Sequence, residues 1–308
     1  MKLPEELQFM ANARLPQKTT NARLDGRLCV ITGATSGIGL AVARRLAVAG
    51  AQLVLVCRNP DRAAAVQAEL IYEHGAATRI VLADLARPGQ VRRAAEEILA
   101  ACPRIDVLIN NAGLHNTVRR LTPDGLEEVF AVDHLAAFLL TGLLLDRLKA
   151  SAPARIIDVN SEGHRFGGLD LGDLNWQRRL YYGLRSYGAA KTAQLLTVWE
   201  YADRLAGTGV TINAMHPGAV RSNVGMNNGP LYRLYSRAIV RWFLKDTAVA
   251  AEALYYLAAA PELAAVSGRF FNLTHEELPA AHARDRALGK KVWAVSCSLT
   301  GWACDDNN

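Results

Sequence analysis

The chain has 308 residues, enough for one large α/β domain or two small ones. Its composition, 51% hydrophobic and 21% charged, is that of a folded globular protein and excludes extensive disorder. The net charge of +6 comes from basic residues dispersed among acidic ones, so no dense basic block indicates binding to nucleic acid.

Cysteine content and apolar runs bear on the compartment. Five cysteines show no C-x-x-C and no metal-ligand spacing, and their odd number predicts buried free thiols in a reducing, cytoplasmic location, without a metal site. The N-terminal residues contain no long apolar run, so we expect no secretory signal. The most apolar stretch, residues 135–145, is about half as long as a membrane span and predicts a buried helix instead.

In chain order, residues 1–26 are predicted to form an N-terminal arm that ends in the turn Asp25-Gly26. Short runs of Val, Ile and Leu without polar alternation then predict strands covered on both faces: Leu28–Thr32, Leu53–Cys57, Ile80–Ala83, Val107–Ile109, Ile156–Val159, Val210–Ala214 and Arg269–Leu273. Helical patterns are predicted to begin near Ile38, Asp61, Gln90, Asp124 and Tyr187.

This alternation predicts an α/β fold, a Rossmann-type doubly wound parallel sheet of about seven strands with helices on both faces. We expect a single domain over residues 27–284, followed by a C-terminal tail over residues 285–308.

The first strand leads into a glycine-rich turn that opens the first helix. Glycines in such a turn let the backbone approach a pyrophosphate, which the helix N-terminus then attracts. The sequence therefore predicts a dinucleotide site formed by Gly33, Thr35, Ser36, Gly37, Ile38 and Gly39.

The end of the second strand predicts which dinucleotide binds. An NAD site usually presents an acidic residue there for the ribose 2′-hydroxyl, whereas this chain presents Arg58, whose donors suit a 2′-phosphate. Arg62, one helical turn further on, could assist, and we predict NADP(H) in preference to NAD(H). The alternative is that Arg58 is a solvated loop residue. Later strand ends add candidate cofactor contacts: Asp84, Leu85, Asn111, Ala112 and Gly113.

Tyr187 and Lys191 lie four residues apart in a helical pattern and so share one helix face. A free tyrosine keeps its proton up to a pH of about 10. Because a nearby ammonium lowers that pKa, the pair can act as an acid or base near neutrality.

Together these segments resemble the short-chain dehydrogenase/reductase family, most closely its retinol-dehydrogenase-like branch. They follow the family's order over residues 28 to about 275: TGATSGIG at 32–39, DL at 84–85, NNAG at 110–113, Ser161, YGAAK at 187–191 and HPGAVRS at 216–222. The likeness to the branch depends on CRN at 57–59, HLAAFLLT at 134–141 and RIIDVNSEGH at 155–164.

The resemblance implies hydride transfer between a nicotinamide and a carbonyl or alcohol carbon. Tyr187 is implied to exchange the proton with the substrate oxygen, and Ser161 to hydrogen-bond the same oxygen. Lys191 is implied to lower the tyrosine pKa and to hold the nicotinamide ribose, so that Tyr187 and Lys191 also contact the cofactor. The loop after the sixth strand is implied to flank the nicotinamide through Pro217, Gly218, Val220 and Ser222.

Asp133 departs from the family pattern, because relatives carry an asparagine there that completes a proton relay. An ionised aspartate only accepts hydrogen bonds, whereas asparagine also donates them. Asp133 is expected either to orient water and attract Lys191, or to weaken the relay and slow turnover. Asn160, where relatives commonly carry serine, is expected only to shape the turn before Ser161.

Residues 221–246 mix apolar side chains with arginines and are predicted to form a lid over the substrate. An apolar lid implies a lipophilic or aromatic carbonyl compound as the small-molecule substrate. The alternatives are that these apolar residues face only the core, or that the segment makes peripheral contact with a membrane surface.

Two other functions stay open beside an NADP(H)-dependent carbonyl reductase. One is an NAD-dependent alcohol dehydrogenase, and the other is a low-turnover nucleotide-binding sensor or scaffold, which only Asp133 supports. The apolar segments 126–145 and 189–202 allow either a homodimer interface or internal packing, so we expect a monomer or a homodimer. His115, His164 and His216 fall near the expected cleft without metal-ligand spacing.

Overall fold

A computed structural model describes residues 15–218 and 246–304. Its centre is one eight-stranded sheet with the order β3-β2-β1-β4-β5-β6-β7-β8. All neighbouring strands are parallel except β7 and β8. The strands are β1 Leu28–Thr32, β2 Gln52–Cys57, β3 Thr78–Leu82, β4 Val107–Asn110, β5 Ala154–Val159, β6 Val210–His216, β7 Phe270–Asn272 and β8 His275–Glu276. The predicted doubly wound sheet is confirmed, and the additional eighth strand is too short to leave a pattern in the sequence.

Seven long helices in the described residues flank the sheet: α1 Gly37–Val48, α2 Pro60–His74, α3 Pro88–Ala101, α4 Ala136–Ala150, α5 Gly183–Arg204, α6 Thr247–Ala259 and α7 Arg286–Thr300. A short helical turn at Glu128–Phe130 and a π-helical turn at Ala131–Leu135 lead directly into α4. The helix predicted near Asp124 therefore begins four residues later, and the one predicted near Tyr187 begins four residues earlier. Helices α6 and α7 were not predicted from the sequence.

The buried apolar residues form one layer on each face of the sheet. Side chains of α3, α4, α5 and α7 make one layer, and side chains of α1, α2 and α6 make the other. This explains why the strands are apolar on both faces. The order of the strands reverses between β1 and β4, so the crevice beyond their carboxyl ends is the place where an open α/β sheet binds ligands.

The helical stretch Glu128–Ala150 is long and apolar enough to cross a bilayer by composition alone. Within this fold, however, 72% of its most apolar window is buried, as in the core helix of a globular domain. Residues of this stretch and of segment 189–202 pack against each other within the chain.

The C-terminal tail is structured as far as residue 304, because α7 packs against α5 through the buried side chains of Val292 and Trp293. Cys297 and Cys304 form a disulfide, whereas Cys29, Cys57 and Cys102 are buried thiols. The prediction that all five cysteines are free is therefore wrong for the last two. Gly301 ends α7 in a left-handed conformation, which turns the chain back and brings the two cysteines together.

Candidate active site

The glycine-rich turn between β1 and α1 is shaped for close contact. Gly33 and Gly37 have φ angles of 69° and 56°, a region that favours glycine. A Cβ atom on Gly39 would lie 2.3 Å from the Gly33 carbonyl oxygen and 2.5 Å from Asn111 Nδ2. The first turn of α1 contains no acidic residue, and the Ser36 side chain makes no capping bond. The turn and the helix N-terminus thus fit the pyrophosphate of a dinucleotide.

Arg58 lies immediately after β2 and is exposed, as is Arg62 in the first turn of α2. Within the described part of the chain, the Arg58 guanidinium makes no ion pair, whereas many other arginines are paired. The Arg62 backbone N–H is held by the side chain of Asn59, at 2.8 Å. This places two cationic side chains beside the β2 end of the crevice, with Arg58 available to an anion.

The ends of β3 and β4 carry the remaining candidate cofactor contacts. Asp84 is half-buried and accepts a hydrogen bond from the Ala86 N–H within its own turn, and Leu85 is half-buried beside it. Asn111 donates its side-chain amide to the Thr32 carbonyl oxygen at 2.8 Å, so it braces the glycine-rich turn. The half-buried Ala112 and Gly113 continue along the sheet edge.

Ser161 follows β5 and caps a 3₁₀ turn at Glu162–Phe166, where its Oγ accepts the Gly163 N–H at 3.0 Å. A Cβ on Gly163 would lie 2.6 Å from the Tyr187 ring, so the absence of a side chain there lets the tyrosine approach Ser161. The same Cβ would lie 3.3 Å from Ser161 Oγ, so both side chains border Gly163. The Ser161 hydroxyl lowers the pKa of Tyr187.

Tyr187 lies in the second turn of α5 and is half-buried. Burial raises its pKa above the ordinary value, the Lys191 ammonium opposes that rise, and the Asp133 carboxylate adds to it. Lys191 therefore does lower the pKa of Tyr187, as the family resemblance implies, but burial raises that pKa by more in this structure. Tyr187 consequently keeps its proton at neutral pH.

Lys191 is almost completely buried, and its ammonium is surrounded by acceptors. It donates to the Val159 carbonyl oxygen at 2.9 Å and to Gln194 Oε1 at 3.3 Å, and it forms an ion pair with Asp133 Oδ2 at 3.4 Å. The nitrogen lies 5.7 Å from the centre of the Tyr187 ring. The cation is thus fixed beside the tyrosine by three groups of the chain itself.

Asp133 lies in the π-helical turn, a feature often found at functional sites. Its Oδ1 accepts the Leu114 N–H at 2.7 Å, while Oδ2 faces Lys191 without a hydrogen bond within the described residues. Burial raises the pKa of Asp133 to about 6, and Lys191 acts in the opposite direction. The carboxylate therefore attracts Lys191, as one of the two sequence-based alternatives expected.

Asn160 does more than shape the turn. It is buried, and its amide donates to the Lys191 carbonyl oxygen and to Gln194 Oε1, both at 2.9 Å, while its Oδ1 accepts the Ser161 N–H. This side chain fixes the strand that carries Ser161 to the helix that carries Lys191. The sequence contains no local sign of that link, because the partners are about 30 residues apart.

The histidines near the cleft lie in different surroundings. His115 is buried with its ring edge-on to Tyr187, at a centroid distance of 5.9 Å. His164 Nδ1 lies 2.7 Å from the Ser161 carbonyl oxygen. His216 groups with Glu162 and Glu277 in an arrangement of metal-ligand type, but the Arg165 guanidinium pairs with both carboxylates, at 2.6 and 3.0 Å. A single guanidinium thus already bridges the two carboxylates of this group.

Pro217 and Gly218 follow β6 at the same sheet edge, and Gly218 has a φ of 72°. Val220 and Ser222, and the predicted lid up to residue 245, lie outside the described residues. The structure therefore brings Ser161, Tyr187, Lys191 and Asp133 together at the crevice, with the glycine-rich turn at one end and Pro217-Gly218 at the other.

Known proteins with similar sequences identify the family of this chain. A family model described as short chain dehydrogenase matches residues 27–231. Human retinol dehydrogenase 13 is 38% identical over 301 residues, covering 95% of this chain and 89% of the relative. Mouse retinol dehydrogenase 12 is 38% identical over 287 residues, covering 92% and 89%.

Solved structures agree with this result. A protein of Mycobacterium paratuberculosis is 30% identical with a TM-score of 0.72, covering 94% of this chain and 97% of its own. A short chain dehydrogenase from Burkholderia cenocepacia J2315, solved in complex with NADP, is 25% identical with a TM-score of 0.65, covering 81% and 97%.

Proposed function

The chain belongs to the short-chain dehydrogenase family, in its retinol-dehydrogenase-like branch, and from that premise we propose that it is an NADP(H)-dependent reductase of lipophilic carbonyl compounds. The observation that carries the proposal is the convergence of Ser161 and Tyr187 beside the buried Lys191, at the crevice where the glycine-rich turn fits a dinucleotide.

When bound, the nicotinamide supplies a hydride to the carbonyl carbon of the substrate. Tyr187 donates its hydroxyl proton to the carbonyl oxygen, so that the product is an alcohol and the tyrosine is left as a phenolate. Lys191 stabilises that phenolate, because its ammonium lowers the pKa of Tyr187. The Ser161 hydroxyl donates to the same substrate oxygen and stabilises the charge that develops there.

The electrostatics of the site favour reduction over oxidation. Burial and the Asp133 carboxylate raise the pKa of Tyr187, so the residue carries the proton that carbonyl reduction consumes. An alcohol oxidation would instead require the phenolate as a base. Asp133 thus acts on the reaction through the charges of Tyr187 and Lys191.

Arg58 supports the choice of NADP(H). Its guanidinium is exposed at the end of β2 without an ion-pair partner in the ranges 15–218 and 246–304, which suits a ribose 2′-phosphate. The Burkholderia cenocepacia relative was solved with NADP. For the substrate, the names of the relatives point to a lipophilic alcohol or aldehyde. Leu180, Tyr182 and Leu184, each more than half exposed, add apolar surface beside the first turn of α5.

We propose in addition a cytoplasmic location, which the three buried free thiols support and the Cys297–Cys304 disulfide counts against, and a monomeric or homodimeric state. The apolar residues of segments 126–145 and 189–202 are buried within the chain, which supports internal packing for these surfaces.

Titration with NADPH and NADH, followed by a panel of lipophilic aldehydes and ketones, tests the proposal. We expect tight NADPH binding, weaker NADH binding and NADPH consumption that disappears in Tyr187→Phe. Tight NADPH binding without turnover across the panel would instead favour a nucleotide-binding sensor, and preference for NADH with an alcohol would favour the NAD-dependent dehydrogenase.

A further inference from the structure

His216 is a buried residue at the end of β6, next to the loop that begins at Pro217. Its two ring nitrogens face different parts of the crevice. The Gly218 N–H lies 3.3 Å from Nδ1, and Glu162 Oε1 lies 3.2 Å from Nε2. The ring thus stands between the cofactor loop and the residue that directly follows Ser161.

The hydrogen bond from Gly218 assigns the tautomer of His216. Because Nδ1 accepts this N–H, the single proton of a neutral imidazole lies on Nε2. Burial lowers the pKa of His216 to about 3, so the ring is neutral at physiological pH. Nε2 lies 3.2 Å from Glu162 Oε1, a polar contact between two buried atoms, neither of which has a hydrogen-bond partner within the described residues.

Glu162 is itself held in place from the opposite side. Its Oε2 accepts from Arg165 Nε at 2.6 Å, and the same guanidinium reaches Glu277 Oε1 at 3.0 Å. Glu277 Oε2 accepts from the Asn272 amide at 3.0 Å, and Asn272 pairs with His216 in the β6–β7 register. Through Asn272, these contacts therefore lead back to β6, the strand that carries His216.

We propose that His216 is a positioning residue that fixes the Pro217-Gly218 loop relative to Ser161 through Glu162. This inference rests on the proposed function, since it assigns the loop to the nicotinamide. Neither His216 nor Glu162 touches the reacting atoms. Their effect is to keep a fixed distance between the loop backbone and the 3₁₀ turn after Ser161. The cofactor and the substrate oxygen are thereby held in the correct relative position for reaction.

Two substitutions of His216 test the contacts of its two ring nitrogens separately. In His216→Asn the amide oxygen can still accept from Gly218, but the donor to Glu162 is lost. In His216→Gln an amide N–H can still reach Glu162, but the acceptor for Gly218 is lost. We expect each variant to weaken NADPH binding about tenfold, the effect of leaving one buried polar group unpaired. The readout is NADPH fluorescence titration, with thermal unfolding measured in parallel.

Glu162 tests the same link without altering the histidine. Glu162→Ala removes the acceptor and should weaken NADPH binding by a similar factor, whereas Glu162→Gln keeps a carbonyl oxygen toward Nε2 and should restore most of the affinity. Rescue by glutamine separates the contact with Nε2 from the charge of Glu162, because both variants lose the charge. Thermal unfolding, measured in parallel, reports any general loss of packing in Glu162→Ala.

The inference is overturned if His216→Asn binds NADPH as the parent does, or if Glu162→Ala and Glu162→Gln bind it equally well. A parent protein that does not bind NADPH would contradict the proposed function itself, so the two failures are distinguishable.

Discussion

The two ends of the crevice are built on different principles. At the nucleotide end, the binding features are backbone shape and exposed charge: the left-handed turn at Gly33, the tight contact at Gly39 and the exposed Arg58. At the catalytic end, Lys191 and Asp133 are fully enclosed, and the pKa of Tyr187 depends on both of them. Substitution at the nucleotide end should therefore change affinity, whereas substitution at the catalytic end should change rates and pH dependence.

The largest expected effect is at the catalytic end. Tyr187→Phe removes the proton donor but keeps the aromatic ring, so kcat for carbonyl reduction should fall about 10²–10⁴-fold, the usual contribution of general acid catalysis. NADPH affinity, measured by fluorescence titration, should change little. A variant that keeps parental kcat would remove Tyr187 from the chemistry.

At the nucleotide end, Arg58→Ala should weaken NADPH binding about 10–100-fold, because a charge-assisted bond to the 2′-phosphate is lost. NADH binding should not change. Arg93→Ala, an equally exposed arginine on α3, is the matched control and should leave both affinities as they are. Equal losses for NADPH and NADH in Arg58→Ala would contradict the assignment of the 2′-phosphate to this residue.

Asp133→Asn tests whether the pH dependence at the catalytic end is set by the charges around Tyr187. The Asp133 carboxylate raises the pKa of Tyr187, so its removal should lower that pKa and move the alkaline limb of kcat/KM for reduction to lower pH. The matched control is Asp158→Asn, a second buried aspartate that does not act on Tyr187. The account fails if both variants, or neither, shift the limb.

Asp158 should instead affect stability, as the smallest of these effects. Burial raises its pKa from 3.8 to about 6 in the folded state, so its ionisation opposes folding increasingly as pH rises between these values. Asparagine keeps an acceptor for the Asn110 amide, which now bonds Asp158 Oδ1 at 2.7 Å. The unfolding temperature of Asp158→Asn should exceed that of the parent above pH 6 by a few degrees, and the gain should shrink toward pH 4.

The same contrast explains how much the sequence could predict. The nucleotide end is local in sequence, since Gly33, Gly37 and Gly39 act through one turn, and the strands are continuous apolar runs. The helical stretch predicted to begin near Asp124 begins only at Glu128, because a bridge between Leu121 and Glu127 holds the chain in a turn before it. Helix α7 is fixed by packing against α5, a long-range contact that no local pattern reveals.

The catalytic end was predicted in its residues but not in its electrostatics. The Tyr187–Lys191 spacing and Ser161 are visible in the sequence, whereas the balance between burial and charge at Tyr187 depends on the enclosed space around it. The links made by Asn160 and His216 join residues that are far apart in the chain, so only the fold shows them.

Hydride transfer is the central claim, and deuterium transfer from NADPH labelled at nicotinamide C4 tests it most directly. The parent protein should place the label on the carbonyl carbon of a reduced lipophilic aldehyde, and Tyr187→Phe should lose this transfer while still binding NADPH. Tight NADPH binding by the parent without label in any product of the panel would contradict the account.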